Sequence, residues 1–144
     1  MEVTVVKHEE KDLKVRIFCC QIDGKVKKLK QHIELFDENI RGKRNNETVF
    51  VKLSEVLYFE VVDNRTFLYT VDDVLEVEQK LYELESVLST RDYIRSSKSQ
   101  IININKIASL KPELNRSIQA TMCNGERLNI SRRYAKRIKD LLGI

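Results

Sequence analysis

The spacing of hydrophobic and polar positions changes several times along the chain, and each change marks a predicted element. Strand-forming residues cluster at 3–6 and 14–20 around a polar turn at 9–12, which predicts two short strands. Apolar residues then recur at spacings of three and four, with Asp23 placed as a helix N-cap and Gly42 just past the end. The stripe consists of Val26, Leu29, Ile33, Phe36 and Ile40, and the opposite face carries Lys25, Lys28, Gln31, Glu34 and Glu38. This pattern predicts an amphipathic helix with a solvated outer face.

The next stretch returns to the strand pattern. Runs of β-formers at residues 48–53, 56–62, 65–71 and 74–77 are separated by short polar turns. Connections this short predict an antiparallel meander. Val77, Leu81, Leu84 and Leu88 then lie on one helical face, and this helix is predicted to end near Thr90.

The stretch from Tyr93 to Ile107 places polar side chains directly before an apolar run. Ile101, Ile102, Ile104 and Ile107 suit a buried strand, whereas Arg95, Ser96, Ser97, Lys98 and Ser99 offer hydrogen-bonding groups. We expect a rigid strand that presents a polar loop; the alternative is an ordinary strand with a solvated lead-in. Asn103 and Asn105 are expected to bond backbone at the strand end.

The last third predicts more strands and a final helix. Strands are expected at 108–111, 117–122 and 126–130, and Asn124-Gly125 is a strong hairpin signal. Ser131 is placed as the N-cap of a helix over 132–142. Its inward residues are predicted to be Tyr134, Ile138, Leu141 and Leu142, with Arg132, Arg133, Lys136, Arg137 and Lys139 outside.

Together these elements predict an α+β fold that is mostly β, with short antiparallel strands and flanking helices. Residues 42–46, Gly-Lys-Arg-Asn-Asn, contain no apolar side chain and mark a candidate boundary. We therefore divide the chain into a small β-β-α segment at 1–42 and a larger domain at 43–144.

Composition narrows the class of protein. The 144 residues are 42% hydrophobic and 33% charged, which fits one compact domain or one domain with an extension. No apolar run approaches the roughly 20 residues that span a bilayer, so we predict a cytoplasmic protein without membrane insertion. Cys19, Cys20 and Cys123 are expected to be small apolar fillers in a reducing compartment, with a redox role for the adjacent pair as the alternative.

The charge is unevenly distributed. Residues 1–42 contain nine basic residues (Lys and Arg) and eight acidic ones (Asp and Glu). Residues 43–90 contain five basic and ten acidic residues, and residues 91–144 contain twelve basic and four acidic residues. A basic region of this kind is typical of a surface that meets phosphates, although a membrane surface or an acidic protein would also fit.

An enzyme is not predicted. His8 and His32 lie outside the larger domain, the cysteines and histidines lack metal-site spacing, and the four glycines form no phosphate-binding loop. We identify no catalytic constellation and expect no metal and no cofactor.

From about residue 47 to 142 the chain resembles the LytTR-type DNA-binding domain of bacterial transcriptional regulators. The resemblance rests on the blocks Val56-Leu57-Tyr58-Phe59-Glu60, Leu81 to Leu88, Tyr93 to Ser99 followed by Ile101-Ile102-Asn103, Asn124-Gly125 and Ile130-Ser131-Arg132-Arg133. Gln100 stands where the family usually has an aromatic residue, and Ser97 where it often has a histidine. Such domains are often attached to a receiver domain, for which residues 1–42 are too short.

The resemblance implies a sequence-specific regulator of transcription that binds double-stranded DNA through loops entering successive major grooves. It implies base or groove contacts from Arg65, Thr66, Ser97, Lys98 and Arg132, and phosphate contacts from Arg95, Ser99, Arg133 and Lys136. The alternative is a basic interaction module that binds an acidic protein partner or RNA. The operator, the sign of regulation, the activating signal and an unidentified regulatory protein partner are left open.

Residues 1–42 are too few to enclose a core, because domains below about 40 residues need other support. The apolar helix stripe must therefore pack on its own chain or on a second copy. We predict a homodimer, because two copies double the DNA contacts and match a two-part site.

Overall fold

The computed structural model describes residues 1–9, 11–36, 39–88 and 92–144, and within them it contains ten strands and three helices. The helices are α1 (Gly24–Phe36), α2 (Leu81–Leu88) and α3 (Arg132–Leu142). The strands are β1 (Asn39–Arg44), β2 (Glu47–Lys52), β3 (Tyr58–Val62), β4 (Arg65–Tyr69), β5 (Val74–Val77), β6 (Tyr93–Ser97), β7 (Gln100–Asn103), β8 (Ile107–Pro112), β9 (Ile118–Met122) and β10 (Arg127–Ile130). The α+β, mostly β class predicted from the sequence is confirmed.

The strands form two antiparallel sheets. Seven strands lie in the order β2-β1-β5-β4-β3-β7-β6, and three in the order β10-β9-β8. The predicted meander is confirmed for β3, β4 and β5, but the run at 48–53 is wrongly included, because β2 pairs with β1 at the edge of the sheet and not with β3. The β3–β4 turn has positive φ at Asp63 (51°) and Asn64 (62°), which is typical of two-residue hairpin turns. Gly125, with φ 86°, lies in the predicted Asn-Gly turn between β9 and β10.

The seven-stranded sheet separates two hydrophobic cores, because successive strand residues point to opposite faces. Phe59 belongs to the core that α2 covers, and its neighbour Tyr58 belongs to the core that the small sheet and α3 cover. Ile101 and Ile102 divide in the same way. The central strands β3 and β7 are therefore buried on both faces, which makes them a rigid support for the turns at their ends.

Helix α1 begins where the sequence predicted and ends earlier. The Asp23 carboxylate accepts a hydrogen bond from the backbone N–H of Val26 at 3.0 Å, which is N-cap geometry. The helix ends at Phe36, however, and Ile40 is a buried residue of β1 rather than part of the helical stripe. The spacing of Ile40 fits a helix, but its position opposite Val51 in the β1–β2 ladder decides its conformation.

Gly42 is not a helix cap. It lies inside β1, and a Cβ built on it would approach the Leu75 Cβ to 2.5 Å, so glycine permits the close approach of β1 to β5. The turn of this hairpin is formed by Asn45 and Asn46, both with positive φ. The boundary predicted at residues 42–46 therefore falls within the β1–β2 hairpin of the large sheet.

The N-terminal strands were wrongly predicted. Residues 1–9 and 11–23 contain no strand or helix, and Val3, Val5, Leu13 and Phe18 are largely exposed. Strand-forming residues without a hydrogen-bonded partner do not make a strand. The three cysteines are also exposed rather than buried fillers.

Other predicted residues also differ from the structure. Val77 ends β5 instead of starting the helical face of α2, and α3 buries Ala135 and Ile138 while Leu141 and Leu142 are exposed. The predicted helix end at Thr90, the polar-face residue Glu38 and the side chain of Phe36 lie outside the described residues.

One residue of the predicted solvated face of α1 packs within the chain. Gln31 donates to the Glu83 carboxylate of α2 at 2.8 Å, and α1 also contacts β1. Val26, Leu29 and Ile33 are half-buried. The helix is thus attached to the large sheet of its own chain, and its apolar stripe is partly covered there.

Candidate nucleic-acid interface

The polar part of the central stretch forms the turn of a hairpin. It joins β6 to β7, and the register of the two strands shifts between Arg95 and Ser97. The Ser97 hydroxyl accepts a hydrogen bond from the backbone N–H of Ser99 at 3.2 Å, which stabilises the turn. Lys98 and Ser99 are exposed and Ser97 is half-buried. The tip presents one cation and two hydroxyl groups.

Two other loops are joined to this turn by backbone hydrogen bonds. The N–H of Val61, at the end of β3, donates to the carbonyl of Ser99 at 2.8 Å. The N–H of Ser131, just before α3, donates to the carbonyl of Ser96 at 2.8 Å. The β3–β4 turn, the β6–β7 turn and the start of α3 are therefore neighbours. These are the three places where the family resemblance put base contacts.

Beneath this surface lies a chain of three hydrogen-bonded polar side chains, two of them buried and one half-buried, that the sequence pattern did not indicate. The Ser96 hydroxyl donates to the Gln100 amide oxygen at 2.8 Å, and the Gln100 amide nitrogen donates to the Glu60 carboxylate at 3.2 Å. Ser96 is fully buried, so its predicted outward position is wrong. Glu60 accepts this hydrogen bond because Glu60 of β3 and Gln100 of β7 are direct partners in the ladder of the two strands.

Arg65 extends from the β3–β4 turn and is engaged on the protein surface. Its guanidinium donates two hydrogen bonds to Glu76, at 3.0 and 2.5 Å, and lies over the Phe67 ring. The hydrogen bond from Arg65 holds the pKa of the Glu76 carboxyl below its usual value. The Arg65 side chain is still 60% exposed, whereas Thr66 is buried in β4 and does not reach the surface.

Arg95 has a different environment from the one expected of a phosphate contact. Its side chain is only 13% exposed and donates from Nε to Glu85 of α2 at 2.8 Å. Its Nη1 donates to the carbonyls of Ser97 and Lys98 at 3.3 and 2.5 Å. The residue lies on the same face of β6 as Tyr93, which faces the core under α2. The alternation of Arg95 with Tyr93 along β6 is a sequence signal that could have predicted this inward position.

Helix α3 presents cations beside the β6–β7 turn. Ala135 and Ile138 face the core, which leaves Arg132, Arg133 and Lys136 exposed on the opposite side. Ser131 occupies the N-cap position, but its side chain makes no capping hydrogen bond. The unpaired N–H groups at the N-terminus of a helix attract anions, and the exposed arginines at the start of α3 add positive charge there.

Other polar residues have structural partners. Asn103 donates to the Val56 carbonyl at 2.9 Å and accepts from the N–H of Asn105, as expected for a strand end. The Tyr58 hydroxyl donates to Glu126 at 2.7 Å, and burial, followed by that hydrogen bond, raises the pKa of Tyr58 above its usual value. Tyr58 also stacks on Tyr69, so β3, β4 and the β9–β10 turn are joined under the sheet.

The described part of the chain contains no group of three or more His, Cys, Asp or Glu side chains arranged to hold a metal ion. None of the helices in the described ranges has the length and apolar character needed to cross a membrane. The features that distinguish this face are its cations and its three adjoining loops.

Comparison with known proteins assigns the family. The model of the LytTr DNA-binding domain matches residues 46–143. The chain belongs to the LytTR family. A LytTr DNA-binding domain from Bacillus cereus has the same fold, with a TM-score of 0.71, 29% identity and coverage of 74% of this chain and 98% of that one.

Two relatives are longer than the stretch that they share with this chain. The sensory transduction protein LytT of Bacillus anthracis is 32% identical over 96 residues, which are 67% of this chain and 39% of that protein. A protein of Staphylococcus aureus described as an HTH-type transcriptional regulator is 33% identical over 103 residues, or 72% of this chain and 69% of that protein. This LytTR chain thus matches well under half of LytT, and β1 precedes the part that the family model covers.

Proposed function

We propose that this LytTR protein regulates transcription by binding a specific sequence of double-stranded DNA through the loops of its β domain. The observation that supports the proposal most is that the three loops carrying Arg65, Lys98 and Arg132 are neighbours. Backbone hydrogen bonds from Val61 and Ser131 join these loops. Family membership and the names of the relatives as transduction proteins and transcriptional regulators support the same function.

The proposed contacts follow from the exposure of each side chain. Lys98 and Arg132 are exposed on adjacent loops and are proposed to donate to guanine O6 and N7 in the major groove. Ser97 and Arg65 are proposed to contact base edges beside them, Arg65 after exchanging its bond with Glu76. Thr66 is buried, so we propose that it only supports the position of Arg65.

Phosphate contacts are proposed for the outer cations of α3 and for the turn hydroxyl. Arg133 and Lys136 are exposed, and Ser99 lies at the exposed tip of the β6–β7 turn. Contacts to phosphates fix the register of a protein on the duplex and contribute affinity for any sequence. We propose no phosphate contact for Arg95, because its side chain is only 13% exposed and is already paired with Glu85.

The decisive experiment measures sequence preference. The purified 144-residue chain is used to select binding sites from fragmented genomic DNA. Its affinity for the preferred duplex is then compared with its affinities for random duplex and for RNA at one salt concentration. We expect a preference of at least about 10³ for the selected duplex over random DNA. Equal affinities for all duplexes, or tighter binding to RNA or an acidic protein, would contradict the proposal. Salt dependence alone does not discriminate, because any polyanion shows it.

Dimerisation is a separate part of the proposal. The packing of α1 on β1 and α2 leaves less of its stripe available than the sequence indicated. Exposed apolar side chains within residues 1–22 are the surface that a second copy would cover, namely Val3, Val5, Val6, Leu13, Val15, Phe18 and Ile22. We therefore assign the proposed dimer contact to this segment together with the exposed part of α1.

A further inference from the structure

We propose that Arg95 and Glu85 form a brace, the Arg95–Glu85 brace, that positions the β6–β7 turn for reading DNA. This inference rests on the proposed function. It assigns to Arg95 a positioning role in place of a phosphate contact, and it gives Glu85, an acidic residue of α2, a role in DNA recognition that its charge alone would oppose.

The guanidinium of Arg95 connects the helix to the turn. Nε donates to Glu85 at 2.8 Å, while Nη1 donates to the carbonyls of Ser97 and Lys98 at 3.3 and 2.5 Å. A planar guanidinium holds several acceptors in a fixed mutual orientation, which a lysine ammonium does not do. The backbone on either side of the Ser97–Lys98 peptide is thus fixed relative to α2, and α2 is anchored by its buried leucines.

The site of this contact is where the ladder of β6 and β7 is irregular. The register shifts between Arg95 and Ser97, so the regular pairing of the strands is interrupted just before the turn. Bulges re-aim the side chains that follow them. Arg95 donates to the carbonyls of the two residues that follow this shift, and so fixes the direction in which Lys98 leaves the hairpin.

The position of the supporting backbone matters more for the base contact proposed for Lys98 than for a phosphate contact. A base contact requires its supporting backbone to be held to within about 0.5 Å of the productive geometry. The Lys98 side chain is long and flexible, so the backbone of the hairpin is the part of this contact that the protein can hold in place. Loss of the brace should therefore reduce discrimination between sequences before it reduces affinity for phosphate.

The sign of the Glu85→Ala effect provides the test. The substitution removes a negative charge, and simple electrostatics predicts tighter binding to every DNA. The brace predicts the opposite for the preferred duplex, a loss of about tenfold, with affinity for random duplex unchanged or higher. Glu78→Ala is the matched control, because Glu78 is exposed and its ion pair with Lys43 lies outside the brace. We expect Glu78→Ala to keep the wild-type preference.

A second variant separates positioning from charge. Arg95→Lys keeps the positive charge but cannot reach Glu85 and two carbonyls together. The brace predicts a loss of preference similar to that of Glu85→Ala, and no further loss when the two substitutions are combined. A phosphate contact predicts instead that Arg95→Lys leaves the preference intact and that the two effects add.

The mobility of the turn is measured without DNA. In wild-type protein, NMR order parameters of the Lys98 and Ser99 amides should be near 0.85, the value of rigid backbone, and in Glu85→Ala they should fall toward about 0.6. Thermal stability should fall only modestly, because the Glu85 side chain is 40% exposed and Arg95 keeps its two carbonyl acceptors when Glu85 is removed.

Three results would overturn the brace. They are preferred-site binding by Glu85→Ala at wild-type affinity or tighter, unchanged order of the Lys98 and Ser99 amides, and a large loss of thermal stability without increased turn mobility. If the wild-type protein shows no sequence preference, the proposed function fails. The relaxation measurement then decides by itself whether the brace holds the turn.

Discussion

Replacing Gly42 by alanine tests the central correction to the fold, the inclusion of β1 in the large sheet. In the structure an added Cβ at Gly42 would lie 2.5 Å from the Cβ and 2.9 Å from the Cδ1 of Leu75. Ordinary contacts begin at 3.4 Å, so β1 and β5 must separate by roughly 1 Å or Leu75 must leave its packing. If residue 42 were a linker, the same substitution would stabilise the protein by reducing the entropy of the unfolded chain.

The expected size of the effect follows from these opposing contributions. Overpacking costs about 1–3 kcal/mol, and the gain from replacing glycine offsets about 0.4–1 kcal/mol of it. The net loss should therefore be about 1–2 kcal/mol. For a chain of 144 residues, this lowers Tm by roughly 3–8 °C. Gly24→Ala is the matched control, because nothing lies within 4 Å of an added Cβ there.

The assay is urea and thermal unfolding of the 144-residue chain, followed by circular dichroism. Gly42→Ala should unfold at lower urea concentration with an unchanged dependence on denaturant, whereas Gly24→Ala should match the wild type or be slightly more stable. A Gly42→Ala variant as stable as the Gly24→Ala variant would refute the close approach of β1 to β5. It would also return residues 42–46 to the role of a boundary.

Three further predictions concern binding and assembly. Lys98→Ala and Arg132→Ala should each weaken binding to the preferred duplex by about 5- to 150-fold and leave binding to random duplex nearly unaffected. Lys136→Ala should weaken binding to both duplexes equally and lower the slope of log affinity against log salt concentration by about 0.9. Equal losses on both duplexes for all three variants would contradict these assignments. Glu76→Gln should raise the affinity for DNA severalfold at pH 7, because the substitution releases Arg65. The wild-type affinity should not rise in this way between pH 7 and 5, because Arg65 lowers the pKa of the Glu76 carboxyl and the ion pair persists at these pH values. An unchanged affinity of Glu76→Gln in DNA titrations would mean that Arg65 does not contact DNA. Sedimentation of the 144-residue chain at micromolar concentration should give a dimer, and a monomer with and without DNA would exclude dimerisation.

The sequence predicted the strands from residue 47 to 77 well, because their alternation of apolar and polar residues and their short turns act locally. Asp63 and Asn64 tolerate positive φ, so the turn residues carried the same information as the strands. The end of α1 could not be predicted in this way. Ile40 continued the helical spacing, and its true conformation depends on pairing with Val51 in the β1–β2 ladder.

The candidate site was predicted in its parts but not in its arrangement. Lys98 and Arg132 were identified from the family motifs and are exposed as expected. Arg95 was predicted to contact phosphate, and the structure places it inward, on the same face of β6 as Tyr93. Its partner Glu85 is on α2, and no local sequence pattern relates the two residues. Ser96 was expected outside because it is polar, and it is buried because Gln100 satisfies its hydroxyl.

The two backbone hydrogen bonds that join the three loops have a consequence for how this LytTR protein can diverge. Their donors are the N–H groups of Val61 and Ser131, which every amino acid except proline possesses. The side chains at Lys98 and Arg132 can therefore be exchanged while the loops keep their places. If the proposed function holds, recognition of a new DNA sequence would require substitutions only at the loop tips and would leave the backbone scaffold unchanged.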